Sequence, residues 1–218
     1  MSPPIRDGSG SSIGSIRLGD GSEISEVRTG AGDVLFSGLG ESTLLAYGSD
    51  DNDVYVHDVG GSFGLNSTLS QAGGDINDGV SFSPDNSLLA YGSNDNNVYV
   101  HDVGGSFPLN STLSQAGDRV RSGVSFSPDN SLIAYGDNNG NIFVHDVGGG
   151  FPLNSTLTDP GGIVKTVDFS AGNNFLMVSE AFQSPDEIFI YDVPSLSLNT
   201  SFSAATDSIF SRGSFNSV

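Results

Sequence analysis

The chain has no cysteine, no tryptophan and a single lysine, Lys165, among its 218 residues. Without cysteine there are no disulfides, no thiol nucleophile and no thiolate metal site, and the redox compartment leaves no trace. Only 7 Lys and Arg stand against 26 Asp and Glu, a formal net charge of −19. So acidic a surface repels nucleic acid and anionic membranes, because it releases no phosphate counterions. No apolar run reaches the roughly 20 residues of a membrane-spanning helix. Met1-Ser2-Pro3-Pro4-Ile5-Arg6 lacks the apolar core of a signal peptide, so a soluble product is expected, with no membrane insertion and no Sec-like export. Excess carboxylate with almost no lysine suits concentrated salt, where screening relieves self-repulsion.

What the chain has in abundance is repetition. Tyr47-Gly48, Tyr91-Gly92 and Tyr135-Gly136 recur at a spacing of 44 residues, in step with Val56-His57-Asp58, Val100-His101-Asp102 and Val144-His145-Asp146. A period of that length marks stacked supersecondary units. Within one unit, Val80-Ser81-Phe82-Ser83 alternates apolar and polar, and Pro84-Asp85-Asn86-Ser87 supplies a turn. Strands are then predicted over Leu88–Tyr91, Val98–His101 and Leu109–Leu113, separated by Gly92–Asn96 and Gly104-Gly105, with no helical period anywhere.

These motifs resemble the WD-repeat β-propeller family over residues 34 to 207. Phe-Ser-Pro-Asp-Asn at 82–86 and 126–130 matches that family's turn after the inner strand, and Asp58, Asp102, Asp146 and Asp192 match the Asp of its dipeptide. His57, His101, His145 and Tyr191 replace the dipeptide's Trp, and the family's Gly-His pair is missing. The resemblance implies an all-β fold, a small propeller of four to five four-stranded antiparallel blades. Blade boundaries are expected at 34–73, 74–117, 118–160 and 161–207, the fourth blade being degenerate with a lengthened turn from Ala181 to Glu187. The tail aligns Ile209 with Val120 and Phe215 with Phe126, so residues 208–218 are expected to enter a fifth blade. A hairpin of Ile13–Leu18 and Glu23–Arg28 about Gly19-Asp20-Gly21 is expected in the arm 1–33, where it closes the ring with the tail or serves in docking.

The arm also carries Arg6-Asp7-Gly8-Ser9-Gly10, Ile16-Arg17-Leu18-Gly19-Asp20-Gly21 and the run Glu26 to Phe36. These are similar to the N-terminal segment of structural and tail-fibre proteins from viruses of halophilic archaea. That likeness implies a virion-surface protein on tail or capsid, with neighbouring virion proteins or a host-surface protein or glycan as partners, and homo-oligomerisation within an assembly. The alternative is a cytoplasmic WD-type interaction scaffold of a halophile.

Chemistry offers little to set against a binding role. The three repeated histidines fall on different sheets, which separates them and argues for a structural place at the blade surface rather than a metal site. The Asp- and Asn-rich turns lack the twelve-residue loop and distal Glu of an EF-hand and are what tight turns select. No serine or carboxylate stands apart from its copies, so neither a catalytic residue nor a cofactor is expected. Sequons at Asn66, Asn110, Asn154 and Asn199 lie on outermost strands and follow from copying one strand.

The copies diverge in the turn between the second and third strands and in the segment leading into each blade. In a four-stranded meander both emerge at the same end of the sheet. That end is expected to gather Asp50, Asp51, Asp53, Asp95 and Asp137 beside Arg119, Arg121 and Lys165, three of the seven cations. A mixed-charge, blade-specific face on a uniform scaffold is the candidate interaction face.

Overall fold

The structure, a computed structural model, describes residues 26–28, 34–37, 44–59, 64–77, 79–121, 123–181 and 187–203. Every regular element among them is a strand, and all pairing is antiparallel between sequence neighbours. The chain divides into two compact units, Met1–Leu45 with His57–Asn66, and Ala46–Val56 with Ser67–Val218.

In the first unit, β1 (Glu26–Arg28) pairs with β2 (Val34–Ser37), Val27 opposite Phe36. Of the hairpin expected from Ile13–Leu18 and Glu23–Arg28, only Glu26–Arg28 is among the described residues, and it pairs with the Val34–Ser37 strand at which the first blade was expected to open. Two short strands so close in sequence pair at low loop-closure cost. Residues 1–25, the expected hairpin turn among them, and the tail strand at 208–218 lie outside the described residues, as does the fourth blade's long turn at 182–186.

Four further sheets follow. The first has three described strands, β3 (Leu44–Gly48), β4 (Val54–Asp58) and β5 (Leu65–Leu69). The second is β6 (Val80–Phe82), β7 (Leu88–Gly92), β8 (Val98–Asp102) and β9 (Leu109–Leu113). The third is β10 (Val124–Phe126), β11 (Leu132–Gly136), β12 (Ile142–Asp146) and β13 (Leu153–Leu157). The fourth is β14 (Ile163–Phe169), β15 (Phe175–Ala181), β16 (Glu187–Asp192) and β17 (Ser197–Ser203). These are meander blades of a β-propeller, and the strands expected for the second blade agree with those observed to within a residue.

Both faces of each central sheet are apolar, so neighbouring sheets bury one another. One face of the third sheet, with Ile133, Tyr135 and Phe143, packs on Leu88, Ala90, Val98 and Val100 of the second. Its other face, with Leu132, Ala134, Ile142 and Val144, packs on Leu176, Val178, Phe189 and Tyr191 of the fourth. Burial on both sides explains why the strands read as nearly continuous Val, Leu, Ile and Tyr, as in sheets covered on both faces.

Two of the three repeated histidines belong to this interior and not to the blade surface, which corrects the sequence expectation for them, while His57 is half-buried. His101 and His145 are fully buried. His101 Nδ1 lies 2.8 Å from the Phe107 carbonyl and His145 Nδ1 lies 2.9 Å from that of Phe151. A carbonyl only accepts, so Nδ1 carries the proton and Nε2 is left as an acceptor facing Tyr91 Oη at 3.1 Å and Tyr135 Oη at 3.3 Å. Tyrosine on one strand, histidine on the next and a carbonyl beyond thus tie the second and third sheets internally. Burial pushes both imidazoles below their ordinary value, keeping them neutral, and pushes the tyrosine hydroxyls up.

Candidate functional site

At the end of the sheets where the second and third strands turn, each turn is built by its own polar side chains. In Ser93–Asn97, the Ser93 amide donates to the Asn97 carbonyl at 3.0 Å, and Asn96 takes a positive φ of 72°. Asp95 accepts from the Asn97 amide at 3.1 Å, from Tyr99 Oη at 2.7 Å and from the Gly73 amide of the preceding segment at 2.6 Å. Those donors, acting against the cost of burial, hold its carboxyl below the usual range. Asp51 accepts from Tyr55 Oη at 2.6 Å and from the Asp53 amide at 3.2 Å in the equivalent turn.

The segment leading into the next sheet locks onto that turn. Ile76, Val120 and Val164 donate their amides to the carbonyls of Ser49, Ser93 and Asp137, at 3.1, 3.1 and 3.3 Å. Their side chains are buried against Gly48, Gly92 and Gly136, where an added Cβ would collide with them. The bond returns through Asn94 to the Asp75 carbonyl at 3.0 Å and through Asn138 to the Arg119 carbonyl at 3.1 Å. Three glycines at strand ends are therefore needed for close approach, a signal present in the sequence as Tyr-Gly followed 28 residues later by Ile or Val.

Both divergent connections are thus brought together at one end, and the candidates separate by role. Asp50 and Asp51 are exposed in the first turn, with Asp53 half-buried behind them. Arg119 is exposed, its amide donating to Asp118 Oδ1 at 2.7 Å. Arg121, also exposed, donates from Nε to Asn94 Oδ1 at 2.9 Å, while Asn94 Nδ2 donates to Asp75 Oδ2 at 3.0 Å. Asp75, Asn94 and Arg121 form a polar chain across adjoining segments, and sequence reasoning missed both Asn94 and Asp75 as its members.

Two candidates share this end but are set differently, the Val164 amide beside Lys165 donating to the Asp137 carbonyl. Asp137 is 1% exposed, accepting from the amides of Asn139, Asn141 and Gly117 at 3.0, 2.9 and 3.1 Å, so it builds the turn and offers no surface. Lys165 was placed in the leading loop but stands on β14, at the bulge between Val164 and Thr166. The run Ile163 to Val167 is rich in β-branched residues and extends as strand, whereas the third blade has Gly123 at a φ of +89° just before β10. Among the described residues no group of His, Asp and Glu is arranged to hold a metal ion.

Residues 67–102 match the family model of the WD domain, G-beta repeat. The matched segment spans β9's predecessor in the first sheet's outer strand, the leading segment with Ile76, and β6 to β8. In fold the chain is similar to one in the crystal structure of mitotic checkpoint complex, with a TM-score of 0.68 and 22% identity. The match covers 78% of this chain and 53% of that one, so this chain spans about half the length of its structural neighbour. At that identity the likeness carries the fold. Comparison with curated proteins finds no match.

Proposed function

We propose that this WD-type propeller is a protein-interaction scaffold that binds a partner protein through the end carrying Asp50, Asp51, Asp75, Asn94, Arg119 and Arg121. The carrying observation is that a nearly uniform scaffold concentrates its differences there: the turn at 93–97 and the segment at 118–121 touch, and the exposed groups they present differ from blade to blade. Exposed loops held by a rigid frame are where recognition is placed at little cost to stability. The structural neighbour comes from a mitotic checkpoint complex, which fits a role in assembly. No reaction is assigned to the face.

The reading as a tail fibre or capsid projection rests on residues 6–36, which lie mostly outside the described residues. No comparison adds to it, so the scaffold reading takes precedence. A photo-crosslinking residue placed at Arg119 and, in a second protein, at Asn110 on an outer strand tests the site. In lysate of the source cells the 119 probe is expected to capture a discrete partner that Arg119→Glu with Arg121→Glu abolishes. Equal capture by both probes, or capture indifferent to the charge reversal, would refute the assignment.

A further inference from the structure

Each leading segment pins one buried side chain under a strand-end glycine, and the two residues flanking that pin differ from copy to copy. They are Asp75 and Asn77 about Ile76, Arg119 and Arg121 about Val120, and Ile163 and Lys165 about Val164. The second segment thus sets two cations about one buried residue, on a chain that has only 7 Lys and Arg in all. Burial alternates along it: Arg119 is exposed, Val120 is 1% exposed and Arg121 is exposed, so both long side chains leave on the side away from Gly92. The main chain beneath them is fixed, the Val120 amide donating to the Ser93 carbonyl at 3.1 Å and the Asn138 amide donating to the Arg119 carbonyl at 3.1 Å.

Arg121 is also oriented. Its Nε donates to Asn94 Oδ1 at 2.9 Å, and Asn94 is held in turn by donating from Nδ2 to Asp75 Oδ2 at 3.0 Å. A neutral amide oxygen positions the guanidinium without cancelling its charge, and that bond does not use the fork of Nη1 and Nη2 donors, which a carboxylate meets with both oxygens. The neighbouring carboxylates are turned to donors of the fold instead. Asp51 and Asp95 each accept from a tyrosine hydroxyl and a backbone amide, and Asp118 accepts from the Arg119 amide.

We propose that Arg119 and Arg121 receive an extended acidic segment of a partner protein that carries two carboxylates two residues apart, one for each guanidinium. This rests on the reading of this end as the binding face and names the chemistry it recognises. The spacing follows from the segment's own, since alternate residues of an extended chain lie about 6.5 Å apart and point the same way. Two arginines about one buried residue therefore match two acids about one residue of an extended partner. The net charge of −19 repels such a segment at long range. At about 0.15 M salt the Debye length is about 8 Å, so remote carboxylates are screened while pairs in hydrogen-bond contact are not.

Nuclear magnetic resonance titration of the full chain at that salt tests this with two peptides of one composition, Gly-Ser-Glu-Ser-Glu-Ser-Gly and Gly-Ser-Ser-Glu-Glu-Ser-Gly. The first is expected to bind with about millimolar affinity and to shift the Nε–H signals of both arginines, and the second to bind about threefold more weakly or less well still. Arg119→Gln and Arg121→Gln are each expected to weaken the first peptide by about tenfold. Arg121→Lys should lose nearly as much, because an ammonium keeps the charge without the fork. Asn94→Ala, which removes only the positioning group, is expected to weaken it about threefold in the native chain and not at all beside Arg121→Gln. Unchanged backbone amide signals away from the segment show that each variant is folded. Absence of binding, equal affinity for the two peptides, or binding indifferent to the arginine substitutions would each overturn the proposal. If the crosslinking probe at 119 still captures a partner in that event, the scaffold reading stands and only the acidic-segment recognition falls.

Discussion

The first and second sheets contain the same three peptides, Leu-Leu-Ala-Tyr-Gly, Val-Tyr-Val-His-Asp and Leu-Asn-Ser-Thr-Leu, yet they are buried differently. Tyr91 is wholly buried while Tyr47, its copy, is 47% exposed. Since the local sequence is identical, propensity and pattern cannot account for the difference. It comes from the tertiary surroundings of each copy. The outer strands, by contrast, keep the same pattern of exposure, each burying only its last leucine, Leu69 or Leu113. Strand formation is therefore a property of the peptide, and burial a property of its place in the series.

The comparison breaks most sharply at the tyrosines. Tyr91→Ala is expected to cost about 3 to 5 kcal/mol, as for a large aromatic removed from a packed core that cannot collapse. Tyr47→Ala, measured in dilute protein at low salt, is expected to cost about 1 kcal/mol or less, since half its surface is already in water. Denaturant melts of the two variants check this. Equal losses would mean that Tyr47 is covered in solution, and the contrast between the sheets would disappear.

Next in size is the glycine lock. Gly92→Ala is expected to cost about 1 to 3 kcal/mol, because its Cβ would press on the Val120 side chain and carbonyl. Gly48→Ala should cost as much, since Ile76 stands over Gly48 in the same way. Here the two sheets are alike despite their tyrosines, because the lock is made with the following sheet, which both possess. A loss confined to Gly92 in urea titrations would show that Ile76 does not close on the first sheet.

A smaller effect follows from the buried imidazoles. His101 and His145 are held neutral by burial, with folded values below the ordinary 6.5. A depressed base means that the unfolded chain binds more protons, so stability is complete above about pH 6.5 and is lost as pH falls below it toward the lowered values. The melting temperature is expected to drop by a few degrees between pH 7.5 and 5.5 and to drop less in His101→Gln with His145→Gln. Below about pH 4 a second loss follows, as Asp85 and Asp129 have carboxyls lowered chiefly by the hydroxyls of Ser83 and Ser127. A flat profile through pH 6 would show that these histidines stay proton-accessible in the fold.

Much of this was legible in the repeat. Period-two alternation and Asn, Asp and Gly at the turns located the strands of the second and third sheets, and the divergence of copies pointed to the end where turn and leading segment meet. What a repeat conceals is the partner of each side chain. His101 has the surroundings of a surface position in the sequence, flanked by Asp102 and near Gly104, and only the carbonyl of Phe107, at a positive φ of 51°, shows that it is an interior group. Asp137 read as a recognition carboxylate because acidic turn residues look alike whether they face water or their own amides. Lys165 read as a loop residue because a bulged extension of β14 requires no special residue type.

The smallest expected effect lies where the sheets agree. Asn66 donates from Nδ2 to Asp58 Oδ1 at 2.9 Å, and Asn110 does the same to Asp102 Oδ1 at 2.6 Å, tying each outer strand to the closing Asp of the strand before it. Both bonds are exposed, so water replaces them at little cost, and Asn66→Ala and Asn110→Ala are expected to shift stability equally, by about 0.5 kcal/mol or less. Thermal melts of the pair, set beside those of Tyr47→Ala and Tyr91→Ala, separate the two causes. If the asparagines differ as the tyrosines do, the first sheet is intrinsically weaker along its whole width; if only the tyrosines differ, the difference lies in the surroundings of Tyr47 and not in the strands.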